Sequence, residues 1–434
     1  MPGLLGSLFV GQGGLNTSGM GISVVGDNIA NSNTVGYKTG RAHFEDLMSE
    51  FVVGAAGANQ LGRGVTLQRI EKMFAQGSFQ STGVPTDLAI SGNGFFVMSG
   101  TQAGKSQNMY TRNGSFRFDD EGFFVSQTGN RVQGFNADDD GTMNSLVEDI
   151  QIFPGRLLQP SATDAVEIRG NFRPDDDLVG PFDPNDTEGT STFRTSILTY
   201  DAMGNGHELT VFGTRAANNE WELNAVVDGG DIDGGVAGQK QVFPLGSLFF
   251  TQDGRLQEEQ LATPLNIPWN GSTPGAINFD FGESLLEGGT GTEGTTQWNE
   301  TTKSVVSFQS QNGYGTGELD GVSIDGTGQI IGAFTNGYQQ VLGQVVMANF
   351  ADNTGLVMTG GNNFVASAGS GEAVVGTAQS GGRGAIQAST LELSTTELST
   401  QFIDLIQYQR AFQANSRTIQ TADGLLQEIF QILR

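Results

Sequence analysis

The sequence predicts an α+β multidomain protein in which two terminal helices form a coiled-coil core domain and mainly-β outer domains are nested between them. Three observations support this fold class. Apolar residues follow a heptad spacing at the N-terminus, a second heptad stripe runs through the last forty residues, and the long middle of the chain alternates with a period of two between glycine-rich turns.

The N-terminal stripe predicts a helix over residues 4–29. Its positions are spaced alternately four and three apart: Leu4, Leu8, Gly11, Leu15, Ser18, Ile22, Val25 and Ile29. Seven glycines lie inside this segment, and each costs about 1 kcal/mol relative to alanine in a helix. We therefore expect the helix to order only against a partner; a helix buried inside a monomer is the alternative interpretation.

The C-terminal stripe predicts a second, longer helix. Its apolar positions recur every seven residues, with Phe402 and Phe430 four residues after two of them: Leu398, Leu405, Phe412, Ile419, Leu426 and Leu433. Residues 394–397 fit a capping box, and no proline follows before the end of the chain. At 1.5 Å per residue this helix would be about 58 Å long, which is typical of coiled coils and bundles.

The middle of the chain predicts strands in two nested domains. Residues 110–118 alternate around Asn113-Gly114, which predicts a hairpin with a type I′ turn. Strand patterns at 196–200, 208–212 and 221–223 lie among acidic, glycine-rich loops. The expected division is a helical core (1–30 plus 391–434), an extended connector (31–80 plus 363–390), a first β domain (81–152 plus 308–362) and an inserted second β domain (153–307).

Composition excludes several classes of function. The net charge is -26, so we expect no binding to nucleic acid or to an anionic membrane. No apolar run approaches the length of a membrane span, so we expect no membrane insertion. There is no cysteine, and His43 and His207 are the two histidines. We therefore expect no catalytic residues, no cofactor and no metal site. The first residues lack the charged flank and cleavage site of a secretory signal, which predicts cytoplasmic residence or export without a cleaved signal peptide.

Two acidic clusters raise an alternative function. Residues 138–141 and 228–233 place carboxylates at close spacing, as a calcium site would, but neither has the spacing of a twelve-residue calcium loop. Solvated turns are the favoured interpretation. A secreted, acidic, calcium-assisted adhesin nevertheless stays open as an alternative.

Three stretches carry a family resemblance. Residues 28–38, the returning segments 321–325, 336–337 and 342–344, and residues 409–417 resemble signature segments of the bacterial flagellar rod and hook axial proteins, and residues 91–97 also match. The matching signature positions are Asn28, Asn31, Thr34, Gly36, Tyr37 and Lys38 near the first helix, and Gln409, Arg410, Gln413, Asn415 and Ser416 in the last. The inserted β domain makes the chain similar to the longer, hook-type members; a distal-rod-like axial protein is the second alternative.

The resemblance implies a structural, non-enzymatic subunit that polymerises into a flexible curved tube. Such a tube acts as a universal joint that transmits torque from rod to filament. Implied partners are further copies of the chain, the rod and hook-filament junction proteins, a hook cap protein and the flagellar type III export apparatus. The implied location is extracellular. The expected assembly seam is Leu4, Leu8, Leu15, Ile22, Val25, Ile29, Leu398, Phe402, Leu405, Phe412, Ile419, Leu426 and Leu433.

Overall fold

A computed structural model describes residues 2–48, 50–54, 57–102, 104–262, 264–299 and 303–432. The chain divides into two compact units. The terminal unit contains Met1–Pro154, Gly321–Ala333 and Gln339–Arg434, and the inserted unit contains Gly155–Asp320 and Phe334–Tyr338. Among the described helices, none combines the length and the apolar character needed to cross a membrane.

The first 154 residues contain one long helix and a series of short strands. In chain order these are α1 Pro2–Ala30, β1 Gly40–Asp46, β2 Glu50–Gly54, β3 Gly57–Leu61, β4 Val65–Lys72, β5 Phe79–Ser81, β6 Leu88–Ser91, β7 Phe95–Gln102, β8 Lys105–Thr111, β9 Phe116–Phe118, β10 Phe124–Ser126, β11 Arg131–Asn136 and β12 Glu148–Asp149. The strands between 40 and 72 pair as β1 with β4 and β2 with β3, both antiparallel.

The following segment supplies the strands of the inserted unit. These are β13 Leu157–Leu158, β14 Ala165–Asn171, the short helix α2 Thr187–Thr190, β15 Phe193–Tyr200, β16 Gly206–Ala217, β17 Glu220–Asp228, β18 Lys240–Phe250, β19 Leu256–Leu261, β20 Leu265–Ile267, β21 Gly275–Asp280 and β22 Val305–Gln311. The three strand patterns predicted from sequence lie within β15, β16 and β17.

The chain then returns through a last group of strands to the second long helix. These are β23 Gly317–Ile324, β24 Gln329–Phe334, β25 Gln339–Asn349, β26 Val357–Gly360, β27 Asn363–Val365, β28 Val374–Thr377, β29 Ala385–Ala388, β30 Thr390–Glu392 and α3 Leu398–Ile432. The returning strands β28, β29 and β30 pair antiparallel with β25, β6 and β5. This pairing brings the start of α3 back beside the end of α1.

The terminal unit is built on a sheet in which neighbours follow the order β24-β25-β11-β7-β8-β27-β26. Phe95, Tyr110, Phe350 and Phe364 belong to its buried core cluster. The ring of Phe95 meets those of Phe350 and Phe364 edge to face, with centroids 5.8 and 6.0 Å apart, a favourable aromatic geometry. The core is therefore assembled from strands far apart in sequence.

The inserted unit packs two sheets on one core. Strands β15 to β19 form an antiparallel meander in sequence order, and β20-β21-β14-β22 form the second sheet. Trp221 and Trp269 are almost fully buried in the shared cluster. The burial of β15 alternates residue by residue, as expected of a strand with one face on a core.

The hairpin predicted at 110–118 is wrong. Strand β8 pairs with β7 and β27, whereas β9 pairs with β10. The carbonyl oxygen of Gly114 instead accepts a hydrogen bond from the Leu88 amide at 2.9 Å. A Cβ atom at Gly114 would lie 1.6 Å from the Leu88 carbonyl oxygen. The glycine thus permits a close backbone approach rather than a positive φ.

The capping box predicted at 394–397 is also wrong. The helix α3 begins at Leu398, and the Glu397 carbonyl accepts the first helical bond, from the Gln401 amide at 3.0 Å. The Ser394 hydroxyl accepts from the Thr396 amide in a local turn. A serine side chain can hydrogen-bond to a turn as well as to the start of a helix. The capping-box pattern therefore predicted a helix start that is too early.

The acidic clusters form turns. The Asp140 carboxylate accepts from the Thr142 amide, and the Asp228 carboxylate accepts from the Gly230 and Gly238 amides. Among the described residues, no three His, Asp or Glu side chains are grouped so that they could hold a metal ion.

The inserted unit should lose stability as pH rises from about 5 to 8. Burial, and then the charges of Asp280 and Glu287, raise the pKa of Glu259 to about 8. Because the folded-state pKa exceeds the unfolded value of about 4.3, the stabilising proton is lost as pH rises toward 8. Thermal melts of the full chain across this range should show the decline, and Glu259→Gln should flatten it.

Glu258→Gln is the matched control for Glu259→Gln, because successive side chains of β19 point to opposite faces. It should leave the pH slope unchanged. An unchanged slope in Glu259→Gln would contradict the assignment.

Candidate assembly site

The helix α1 carries almost no charge. Within Pro2–Ala30 the single ionisable side chain is Asp27, near its C-terminal end. All the remaining positions of the helix hold small, apolar or uncharged polar residues. A helix of this composition gains little from water on any side, so its surfaces are suited to burial.

The helices α1 and α3 pack antiparallel through a face of small residues. Gly11, Gly14, Ser18, Gly21 and Val25 are buried on α1, at spacings of three and four. A Cβ atom added to any of the three glycines would approach α3 closely. The nearest atoms would be Ile419 Cγ1 at 2.8 Å from Gly11, Asn415 Nδ2 at 2.5 Å from Gly14 and Tyr408 Cδ1 at 2.8 Å from Gly21.

The predicted seam residues divide into three groups by burial. Val25 is buried; Leu8, Leu15, Ile22, Ile29, Leu405, Ile419 and Leu426 are half-buried; and Leu398, Phe402 and Phe412 are exposed. The side chains of Leu4 and Phe430, and the whole of Leu433, lie outside what the structure describes. The intrachain contact therefore uses the glycine face, and the larger apolar residues lie at its flanks or outward.

The signature after α1 ties the helix to the start of α3. The Asn28 side-chain amide donates to the Gly40 carbonyl at 2.8 Å and to Gln401 Oε1 at 2.9 Å, and Asn28 Oδ1 accepts from the Gly40 amide at 2.8 Å. The Tyr37 hydroxyl donates to Asp27 Oδ2 at 2.8 Å. Burial, followed by the hydrogen bond to Asp27, raises the pKa of Tyr37 above its ordinary value.

The loop between Asn28 and Lys38 is closed by its other signature residues. Asn31 donates to the Asp27 carbonyl, and the Thr34 hydroxyl donates to Asn31 Oδ1 at 3.1 Å. Gly36 has φ +69°, and its amide donates to the Glu392 carbonyl at 2.8 Å. A Cβ atom at Gly36 would also lie 2.6 Å from the Asn113 amide nitrogen, so glycine is required there.

A buried carboxylate joins both chain ends to the sheet of the terminal unit. Glu392 Oε1 accepts from Lys38 Nζ, Gln76 Nε2 and the Gly77 amide, each at 2.7 Å. Glu392 Oε2 lies 3.5 Å from Arg112 Nη1. We call these residues the Glu392 hub. The side chains of Lys38 and Glu392 are 0% exposed and that of Arg112 is 4% exposed.

The charges of the hub depend on one another. Burial lowers the pKa of Lys38 and of Arg112, and the negative charge of Glu392 opposes this in both cases. Removing one partner of such a buried group leaves an uncompensated charge in a low-dielectric environment. The hub is therefore a structural lock between the signature loop, β30 and the sheet.

The α3 signature residues are less involved in intrachain contacts. Gln409, Arg410 and Gln413 are exposed, while Asn415 and Ser416 are half-buried. Asn415 packs against Gly14 of α1. The side of α3 that carries Gln409, Arg410 and Gln413 is therefore largely solvent-accessible in one chain.

Sequence reasoning missed several residues that hold this site together. Glu392, Arg112, Gln76 and Gln401 carry no motif. The sequence contains one indication for Glu392, because this acidic residue lies between two leucines. An acid buried among apolar neighbours needs a charged or hydrogen-bonding partner.

Comparison with known proteins identifies the class of protein to which the chain belongs. Four family models match in order: the flagella basal body rod protein model over residues 8–38, the flagellar hook protein FlgE/F/G D1 domain over 89–169, the flagellar basal body protein FlaE D2 domain over 167–314, and the flagellar basal body rod FlgEFG protein C-terminal model over 387–432. The chain is thus a structural protein of the flagellar rod and hook axis.

The full-length relatives narrow the class to one family. The flagellar hook protein FlgE of Borreliella burgdorferi is 33% identical over 99% of this chain and 100% of its own length. Those of Treponema pallidum and Salmonella typhimurium are 32% and 30% identical, over 99% and 96% of this chain and 100% and 98% of their own. The chain belongs to the flagellar hook protein FlgE family.

A solved structure shares the fold. The crystal structure of Helicobacter pylori flagellar hook protein FlgE2 superposes with a TM-score of 0.53 at 15% identity, covering 72% of this chain and 100% of that one. At this identity the likeness concerns the fold alone.

Adding a methyl group to the glycine face should separate the helices. Gly21→Ala places a Cβ 2.8 Å from the Tyr408 ring, which Phe44 contacts edge to face at 6.2 Å between centroids. Overpacking of this kind costs about 1–3 kcal/mol. Gly19→Ala is the matched control, because no atom lies within 4 Å, and it should stabilise α1 by up to about 1 kcal/mol. Hydrogen exchange of the α1 amides measures the stability of the helix in both variants. Equal effects of Gly21→Ala and Gly19→Ala would contradict the close packing of α1 on α3.

Neutralising the hub should destabilise the terminal unit. Glu392→Gln leaves Lys38 and Arg112 buried without a counter-charge, at a cost of about 3–5 kcal/mol. Glu71→Gln removes a carboxylate whose partners, His43 and Arg69, are both partly exposed, and it should cost less than about 1 kcal/mol. Denaturant unfolding of the full chain distinguishes them, and similar midpoints would argue against the lock.

Proposed function

We propose that copies of this chain polymerise through the outward surfaces of α1 and α3 into the tube of the flagellar hook. The observation that carries the proposal is the exposure of apolar residues on a helix whose single ionisable residue is Asp27: Phe9 is 67% exposed and Met20 is 37% exposed on α1. A monomer gains nothing by presenting them to water, whereas a polymer buries them in every subunit.

The second helix supports the same conclusion. Leu398, Phe402 and Phe412 of the expected seam are 44%, 50% and 41% exposed, and Leu425 is 50% exposed. Because the two helices have different surfaces, a contact between α1 of one copy and α3 of another is heterologous. Heterologous contacts that do not close into a ring generate an open helical polymer.

We assign the terminal helices, 1–30 plus 391–434, to a coiled-coil core that lines the tube. The first β domain (81–152 plus 308–362), the connector (31–80 plus 363–390) and the inserted domain (153–307) surround it. The net charge of -26 favours polar, adjustable contacts between outer surfaces, which permit bending without loss of torque. The tube then acts as a universal joint between rod and filament.

Family membership is the basis for the remaining proposals. The partners are other copies of the chain, the rod and hook-filament junction proteins, a hook cap protein and the flagellar type III export apparatus. The location is the extracellular hook, reached without cleavage of a signal peptide. We propose no catalytic, cofactor or metal-dependent role, since the buried charges of the Glu392 hub already satisfy one another.

Electron microscopy of the purified full chain, seeded with short polymers, tests the function. We expect hollow, curved tubes that grow from the seeds, because the outward faces of α1 and α3 become buried on assembly. Deleting residues 394–434 should abolish growth and leave a soluble β-rich protein by circular dichroism. Tubes formed by the deletion variant, or a full chain that stays monomeric with every seed, would contradict the proposal.

A further inference from the structure

Six asparagine residues of the chain are followed directly by glycine. They are Asn93, Asn113, Asn205, Asn270, Asn312 and Asn336. In such a pair the backbone nitrogen of the glycine can reach the side-chain carbonyl carbon of the asparagine, because a residue without a Cβ atom leaves the backbone free to turn. A reaction between these two atoms depends on their proximity and orientation. The fold therefore decides which pair reacts, through the contacts that hold the peptide group between the two residues.

In the last of these pairs along the chain, and in the one before it, the glycine nitrogen is engaged in a hydrogen bond. The Gly313 amide donates to Gln311 Oε1 at 2.6 Å, and the Gly337 amide donates to the Phe334 carbonyl at 2.9 Å. The asparagine side chains of both pairs are hydrogen-bonded as well. Neither glycine nitrogen can turn towards the asparagine side chain unless these hydrogen bonds break.

Two further pairs are held through the asparagine side chain. Asn205 Nδ2 donates to Asp201 Oδ2 at 3.0 Å, and the glycine that follows it begins β16, where it pairs with β15. Asn113 Oδ1 accepts from the Ser115 amide at 3.1 Å. The glycine that follows Asn113 lies against the Leu88 carbonyl, with no room for rotation. Both pairs are therefore fixed in the folded chain.

The first pair is held through its backbone. The Asn93 carbonyl accepts from the Gly384 amide at 2.7 Å. This carbonyl and the Gly94 nitrogen belong to one planar peptide group, so the hydrogen bond fixes both. Gly94 is also buried, and a Cβ atom there would lie 2.7 Å from Met347 Cε. The Asn93 side chain is exposed, but the nitrogen that would attack it is not free to turn.

The pair of Asn270 and Gly271 lacks these restraints. Both residues are exposed, in the turn between β20 and β21. Among the described residues, the Asn270 carbonyl and the Gly271 amide have no hydrogen-bond partner. No atom lies within 4 Å of a Cβ atom built on Gly271. The Asn270 side chain has one contact, from Nδ2 to the Gly230 carbonyl at 3.5 Å, which is at the limit of a hydrogen bond.

We propose that Asn270 is a site of spontaneous deamidation in the folded chain. Hydroxide removes the proton from the Gly271 nitrogen, and this nitrogen forms a bond to Asn270 Cγ. The bond between Cγ and Nδ2 breaks, and ammonia leaves after taking a proton from water, so that a cyclic imide remains. Water then opens the imide at either of its carbonyl carbons. The products are aspartate and isoaspartate, in which the main chain runs through the side chain. No atom is oxidised or reduced, and water is the sole co-reactant.

The modification adds a negative charge beside an acidic turn. The Asn270 amide donates to the Asp231 carbonyl at 2.8 Å, and the Asp233 amide donates to the Pro268 carbonyl at 2.9 Å. These two bonds tie the reacting turn to the turn that contains both aspartates. A carboxylate in place of the Asn270 amide group presents an oxygen to the Gly230 carbonyl oxygen with no proton between them. We therefore expect deamidation to weaken the contact between the two turns.

Asn270→Asp reproduces one of the products and tests this consequence. Hydrogen exchange at the Asp233 amide should become several-fold faster than in the unmodified chain, because this amide donates across the contact to Pro268. The amides of β15, β16 and β17 are the internal control and should keep their exchange rates. An unchanged rate at Asp233 would overturn the expected weakening.

Incubation of the purified full chain in heavy-oxygen water at neutral pH, followed by digestion and mass spectrometry, tests the deamidation itself. Each deamidated peptide takes up a heavy oxygen atom from the solvent. The Asn270 peptide should take it up several-fold faster than the peptide of any other Asn-Gly pair, and it should contain both aspartate and isoaspartate. In concentrated denaturant the rates of all the pairs should converge, because unfolding breaks the hydrogen bonds that protect the others.

Two glutamine variants complete the test. Asn270→Gln lengthens the side chain by one carbon and so disfavours closure of the imide, and it should abolish the fast uptake. Asn336→Gln is the matched control and should leave the rate at Asn270 unchanged. If the folded chain reacts no faster at Asn270 than at Asn312, or reacts first at another Asn-Gly pair, the proposal is overturned. Polymerisation does not enter these measurements, so that result would leave the proposed function intact.

Discussion

The close approach of α1 to α3 is the constraint on which the rest of the structure depends. Gly11, Gly14 and Gly21 fill the contact face, and any larger side chain there would meet Ile419, Asn415 or Tyr408. Because small residues make the intrachain contact, the large apolar side chains of both helices are turned to the flanks and outward. A helix pair arranged in this way is folded within one chain and still has apolar surface to bury against others.

The Glu392 hub holds together the segment after α1, the segment before α3 and the sheet of the terminal unit. Lys38 follows α1, Glu392 precedes α3, and Arg112 belongs to the sheet region of the terminal unit, so one buried carboxylate holds three distant segments. Gln76 and the Gly77 amide also donate hydrogen bonds to this carboxylate. A buried network of charged and hydrogen-bonded groups specifies a unique arrangement more than it adds net stability.

Much of this arrangement could be predicted from the sequence, and some of it could not. Heptad spacing predicted both helices, and period-two patterns predicted β15, β16 and β17. The glycines of α1 were interpreted only as a cost in helix propensity, since spacing alone cannot show that α3 side chains lie within 3 Å of where a Cβ atom would be. Asn113-Gly114 predicted a hairpin because local turn chemistry cannot show that Leu88 binds Gly114. The Glu392 hub was not predicted for the same reason, because its partners are up to 354 residues away along the chain.

A structure of the assembled tube at side-chain resolution tests the central claim most directly. The account predicts that α1 keeps its glycine face against α3 of the same chain, with Gly14 beside Asn415 and Asn28 bonded to Gln401, while the outward apolar residues contact other copies. An exchanged arrangement, in which the glycine face of α1 packs on α3 of a different chain and leaves its own α3 free, would contradict it.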